Sequence, residues 1–189
     1  MDPLNAAVSM APTALHRPIL RDILSAVMVE FFNSYGLPCA PLTATERRAP
    51  DEARPDIGSI ISLRGRHVRG GLAFLAPADL IARLLPVPDP QLVDAQVRDW
   101  CSEMANQLLG RLKNKLAAYG IDFDVGTPTC FSGQGIRLVF VPDAEGICLA
   151  FEAASSQMQV YLDCSLEPGA LAVQTERLRA ATEGEVMLF

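Results

Sequence analysis

Four residues in the middle of the chain have types and spacing suited to chemistry: Asp99, Glu103, Asn106 and Gly110, separated by four, three and four positions. On a helix advancing about 100° per residue they fall within an arc of roughly 60°, one narrow stripe. Trp100, Cys101, Met104, Ala105, Leu108 and Leu112 gather on the other side of the same wheel, so apolar residues already account for the core-facing side. The acid and the amide are therefore expected to face outward, toward solvent or a partner. A carboxylate pairs with cations, and a carboxamide accepts through its oxygen and donates through its NH2, so together they can hold a polar group without acting as a strong base. Glu and Asn one turn apart are also ordinary on any exposed helix. Two features set this stripe apart. Asn lowers helix propensity relative to Ala or Gln, and Gly110 costs about 1 kcal/mol in a helix interior, so finding both on one outward stripe suggests selection for close approach by another backbone.

Other chemistries find little support. No G-x-S-x-G, H-E-x-x-H or Walker-type glycine loop with Lys is present, and His16 and His67 stand in unrelated contexts. Gly133-x-Gly135 precedes a β-prone run instead of a helix, which makes it turn chemistry. The five cysteines (Cys39, Cys101, Cys130, Cys148, Cys164) are odd in number and form no C-x-x-C pair; buried free thiols are expected, not a disulfide or zinc framework. A formal charge of −6 and a pI near 4.9 disfavour nucleic acid as a partner. The first ten residues carry no Lys or Arg and include Asp2, unlike a secretory signal. Ile19 to Phe32 is interrupted by Arg21, Asp22 and Glu30 and falls short of the roughly 20 residues that span a bilayer. A cytoplasmic protein with no membrane insertion is the expectation.

The elements that must position the stripe follow from periodicity. With 50% apolar against 20% charged residues, the 189-residue chain can fill one sizeable core. Pro18 suits a first helical turn, and Ile19, Ile23, Leu24, Val27, Met28, Phe31 and Phe32 predict a helix over about 18–35, ended by Gly36 and Pro38. Residues 37–56, rich in proline, read as a surface connection with at most one short edge strand. Ile57–Leu63 and Val68–Leu75 predict a hairpin with His67 exposed in its turn, and Pro77 opens a short helix over 78–85. The longest helix, about 91–119, carries the stripe and closes at Gly120. Four β-prone runs follow, at 121–125, 135–141, 147–151 and 157–164, and read as an antiparallel meander. A long helix followed by hairpin material thus occurs twice, a coarse internal repeat. Residues 1–17 are expected to be a flexible start, 18–165 the domain, and 166–189 an appendage with one short helix around 171–181.

These residues resemble the CheX/CheC family of chemotaxis phosphatases. The resemblance rests on Asp99-x-x-x-Glu103-x-x-Asn106, Gly110, the helix end at Gly120 and Pro128 some 22 positions beyond the Asn. It extends to Ile60-Ile61-Ser62-Leu63-Arg64-Gly65 and Gly70-Gly71-Leu72-Ala73-Phe74, which look like that family's glycine-marked hairpin, and covers residues 18–165. One complete stripe is similar to the single-site CheX branch. A second E-x-x-N, Glu30 and Asn33, lies in the last turn of its helix with Ala26 where an acid or Ser would stand, and is assigned to chance.

The resemblance implies an α/β protein of the α+β type, a central antiparallel sheet flanked by long helices and built from two helix-hairpin units, whose remaining sheet edges could mediate a homodimer. It implies an enzyme that removes the aspartyl phosphate of a response-regulator receiver domain. It further implies that this chain needs no cofactor of its own, because in such a complex the receiver would bring its phosphorylated Asp, its Mg²⁺ and its Lys. Asn106 would orient the attacking water and Glu103 would dock on the receiver lysine. Gly110 would admit the partner, and Asp99 is either a further docking contact or a favourable acid in the helix's N-terminal part. The alternative is a non-catalytic receiver-binding or scaffold module, such as a motor-switch protein. Arg111, Lys113 and Lys115 fit the helix dipole and solvation, or help attract an acidic receiver.

Overall fold

A computed structural model describes residues 12–43, 55–87, 89, 93–138 and 146–167, with side chains from 17 onward. Helix α1 (Pro12–Ser34) buries Leu20, Leu24, Val27, Met28, Phe31 and Phe32, the three- and four-residue rhythm that lays one face on a core. It begins earlier than its apolar pattern suggested, so Pro18 stands inside it instead of in its first turn. Proline cannot donate there, but its fixed φ is already helical and the coil continues N-terminal to it. Edge strand β1 (Cys39–Pro41) follows.

Strands β2 (Ile57–Arg64) and β3 (Val68–Ala76) form the expected hairpin, in register from Ile57 opposite Ala76 to Arg64 opposite Arg69. Alternation along β2 places Ile57, Ser59, Ile61 and Leu63 inside. His67, in the turn, donates through Nδ1 to Glu167 Oε2 at 2.6 Å. Pro77 caps the short helix α2 (Ala78–Arg83), whose first N–H donates to Asp56 Oδ1 at 2.6 Å. Helix α3 (Val93–Ala117) then runs through the stripe.

Helices α1 and α3 end in the same way. Leu37 N–H donates to Phe32 O and Gly36 N–H to Asn33 O; Ile121 N–H donates to Leu116 O and Gly120 N–H to Ala117 O. The two glycines have φ of 69° and 71°, left-handed values that a side chain would oppose. Tyr35-Gly36-Leu37 and Tyr119-Gly120-Ile121 are thus the same local solution used twice.

The remaining strands are β4 (Asp124–Val125), β5 (Thr129–Ser132), β6 (Ile147–Ala153) and β7 (Ser156–Leu166). All seven described strands join one antiparallel sheet in the order β1-β6-β7-β3-β2-β4, with β5 also paired to β2. This order is symmetric about the β3–β7 pair. Each hairpin, β2–β3 and β6–β7, carries on its outer edge the short strand that follows the other unit's long helix, which supports the two-unit reading.

The meander is corrected. Only β6 and β7 form a hairpin with each other; β4 and β5 cross to β2, and residues 136–138 are irregular. Thr129–Ser132, which falls between the predicted runs, is a strand because Ile57–Ile60, far upstream, offers it an edge to pair with. In the run 121–125, Ile121 and Phe123 are buried without strand pairing, and only Asp124 and Val125 join β2. The end of the 135–141 run and the expected helix around 171–181 lie outside the described residues.

Leu24, Met28, Phe31 and Phe32 of α1 and Cys101, Met104, Leu108 and Leu112 of α3 form one core with Ile61, Phe74 and Phe151 of the sheet. Phe31, Phe32, Phe74 and Phe151 are fully buried, each contributing on the order of 1.5–3 kcal/mol by leaving water. Loss of that face would detach α3 and with it the stripe.

Candidate functional site

The inward side of α3 is settled by Val97, Cys101, Met104, Ala105, Leu108, Leu109, Leu112 and Leu116, all buried. Rotation then leaves Asp99, Glu103 and Asn106 exposed and Gly110 half-exposed, along one outward stripe. Asn106 makes no hydrogen bond to any of the described residues, so its amide is available to a group from outside. Glu103 Oε1 accepts from Gln107 Nε2 at 2.8 Å. A Cβ added at Gly110 meets nothing within 4 Å, so no internal contact requires a glycine there.

One cleft of about 740 Å³ lies at the tip of the β2–β3 hairpin, among Arg64, Arg66, His67 and Glu167. Another, about 480 Å³, lies against Gly70, Gly71 and Tyr161 of the sheet. Neither is lined by Glu103 or Asn106.

The three basic residues near the end of α3 are engaged inside the chain. Arg111 donates to Ser34 Oγ at 3.1 Å and lies 5.5 Å above the Phe31 ring. Lys113 pairs with Asp122 at 3.2 Å, which holds the Asp122 carboxyl below the usual carboxylate range, and Lys115 pairs with Glu30 at 2.7 Å. They pair with α1 and with the turn after Gly120 while staying partly exposed to solvent. The same contact occupies Glu30; Asn33, its companion, is exposed one residue from the end of α1.

All five cysteines are free thiols; Cys39 and Cys101 are buried and the other three partly so. Burial pushes the Cys39 thiol up to about 12 and raises Cys101 as well, which leaves both protonated and inert near neutrality. Among the described residues no three His, Cys, Asp or Glu side chains gather where they would hold a metal ion, and no helix is long and apolar enough to cross a membrane.

Sequence reasoning missed Tyr35. Its hydroxyl donates to Gln107 Oε1 at 2.8 Å across 72 positions of sequence, and its ring meets Trp100 edge-on at 6.0 Å. The spacing of Gln107, four residues after Glu103, was a signal available for half of this contact.

Residues 57–152, half of the chain and the whole of α3, match the family described as chemotaxis phosphatase CheX. The chain belongs to the CheX family. No curated protein matches it. Among solved structures, CheX from Vibrio vulnificus superposes with a TM-score of 0.67 at 21% identity, over 79% of this chain and 98% of its own. A CheC-like superfamily protein from a Shewanella species gives 0.66 at 19% identity, over 77% and 97%. CheX from Borrelia burgdorferi, solved as a CheX–CheY–BeF3–Mg²⁺ complex, gives 0.56 at 15%, over 80% and 97%. These likenesses show that the CheX fold extends beyond the matched residues to most of the chain.

Proposed function

We propose that this CheX-family chain docks on a phosphorylated receiver domain of the CheY type and hydrolyses its aspartyl phosphate. The observation that carries the proposal is the outward amide of Asn106, without a partner among the described residues, one turn from the Glu103 carboxylate on a rigidly packed helix. Membership of the CheX family and the CheX–CheY assembly of the Borrelia relative support a receiver domain as the partner.

In the proposed complex the receiver supplies the phosphorylated aspartate, Mg²⁺ and a lysine. Asn106 accepts from the attacking water through Oδ1 and donates through Nδ2, turning the water oxygen toward phosphorus in line with the scissile P–O bond. Attack by that oxygen breaks the bond, the electron pair leaves with the aspartyl carboxylate, and inorganic phosphate departs. The acyl phosphate is already reactive, so orientation is what remains to be supplied. Glu103 pairs with the receiver lysine and sets the register of α3 over the site. Asp99, one turn N-terminal, extends the acidic docking edge, and Gly110 lets the receiver backbone approach.

The test mixes a purified receiver domain, phosphorylated by a small phosphodonor in Mg²⁺, with wild type or Asn106→Ala. Loss of the added phosphate release with binding retained is expected. Dephosphorylation by Asn106→Ala at the wild-type rate would refute the proposal and favour a scaffold that only binds.

A further inference from the structure

A relay of hydrogen bonds ends on Glu103. The carboxylate is an acceptor only, so Gln107 can reach its Oε1 only with Nε2, at 2.8 Å; that choice turns Gln107 Oε1 the other way, where it accepts from the Tyr35 hydroxyl at 2.8 Å. Both ends of the carboxamide are therefore used and its orientation is determined. Tyr35 is itself anchored. Its ring meets Phe31 at 5.1 Å and Trp100 at 6.0 Å, its N–H donates to Phe32 O at 3.0 Å, and Gly36 turns the chain immediately after it.

An exposed glutamate ordinarily samples several rotamers and loses that freedom when it docks. Here the carboxylate is tied through Oε1 to a turn at the end of α1, and none of the described residues engages Oε2. We propose that Tyr35 and Gln107 are positioning residues, which hold Glu103 so that its free oxygen is presented ready-made to a cationic group of the docking partner. This rests on the reading that Glu103 meets a receiver lysine. It also gives α1 a part in the site although the stripe lies wholly on α3.

The experiment measures kcat and KM for dephosphorylation of a phosphorylated CheY-type receiver in Mg²⁺ by Tyr35→Phe, Gln107→Leu and their combination, each with and without Glu103→Ala. Tyr35→Phe keeps the ring contacts and removes only the hydroxyl. Each single variant is expected to lose about threefold to tenfold in kcat/KM, mostly through KM, with the combination no worse than Gln107→Leu alone. Gln107→Glu is expected to lose more than Gln107→Leu, because it sets a like charge beside Glu103. In the Glu103→Ala background none of these changes should have a further effect; losses that persist there overturn the proposal.

A second readout does not depend on turnover. The side-chain amide protons of Gln107, followed by NMR in the protein alone, should shift in both Tyr35→Phe and Glu103→Ala. If they do not, the relay is absent and the inference fails while the proposed function stands. If wild type removes no phosphate but the amide responds to both variants, the proposed function fails and the relay is upheld.

Discussion

Replacing Gly110 by Ala separates what α3 needs from what its partner needs. The position is inside the helix, and an added Cβ meets nothing within 4 Å. Nothing in the chain resists the methyl, so the substitution acts through backbone entropy and helix propensity, about 1 kcal/mol in favour of Ala. For a chain of this size that raises Tm by roughly 2–4 °C. The methyl stands one turn from Asn106, about 6 Å along the helix axis, where the proposed partner's backbone comes close. Overpacking of such a contact costs about 1–3 kcal/mol, so kcat/KM toward the phosphorylated receiver should fall about fivefold or more, mainly through KM. Thermal melting by circular dichroism and steady-state dephosphorylation on the same preparations check both numbers. A lower Tm would refute the account of α3 as an unhindered helix at this point. A higher Tm with unchanged kcat/KM would remove Gly110 from the docking surface.

Met104→Ala and Leu108→Ala remove fully buried side chains from beneath the stripe and should each cost about 2–5 kcal/mol in urea unfolding, whereas Glu103→Ala and Asn106→Ala, on the exposed side, should stay within about 0.5 kcal/mol. Near-equal effects on the two sides would show that the face assignment is wrong. Cys39 and Cys101 should resist a thiol reagent at pH 8 in the native protein and react once it is unfolded. Because burial raises their pKa, the folded state keeps protons that the unfolded state releases above about pH 9, so stability should decline as pH rises beyond that value; rising stability there would contradict their burial.

Much of the local structure was legible in the sequence, as was the exposure of the stripe. The three- and four-residue spacing from Ile19 to Phe32 and from Val97 to Leu116 specifies which face of each long helix is buried, and the outward side of α3 follows by rotation. Tyr35-Gly36 and Tyr119-Gly120 mark both helix ends because a left-handed residue is needed there and glycine accepts it without strain. Alternation identified Ile57–Leu63 as a strand with one buried face.

The placing of β4 and β5 was not legible. Strands of two and four residues are too short to carry a pattern, and they exist because the edge of β2, far upstream, offers them hydrogen bonds. Nor could spacing show that Arg111, Lys115 and Gln107 meet Ser34, Glu30 and Tyr35, since those contacts arise only when two distant helices share one core. Sequence by itself determined the local periods and turns, which depend on neighbouring residues. Tertiary structure decided the strand pairings and the support of Glu103, because both are set by groups brought together only after the apolar faces have closed.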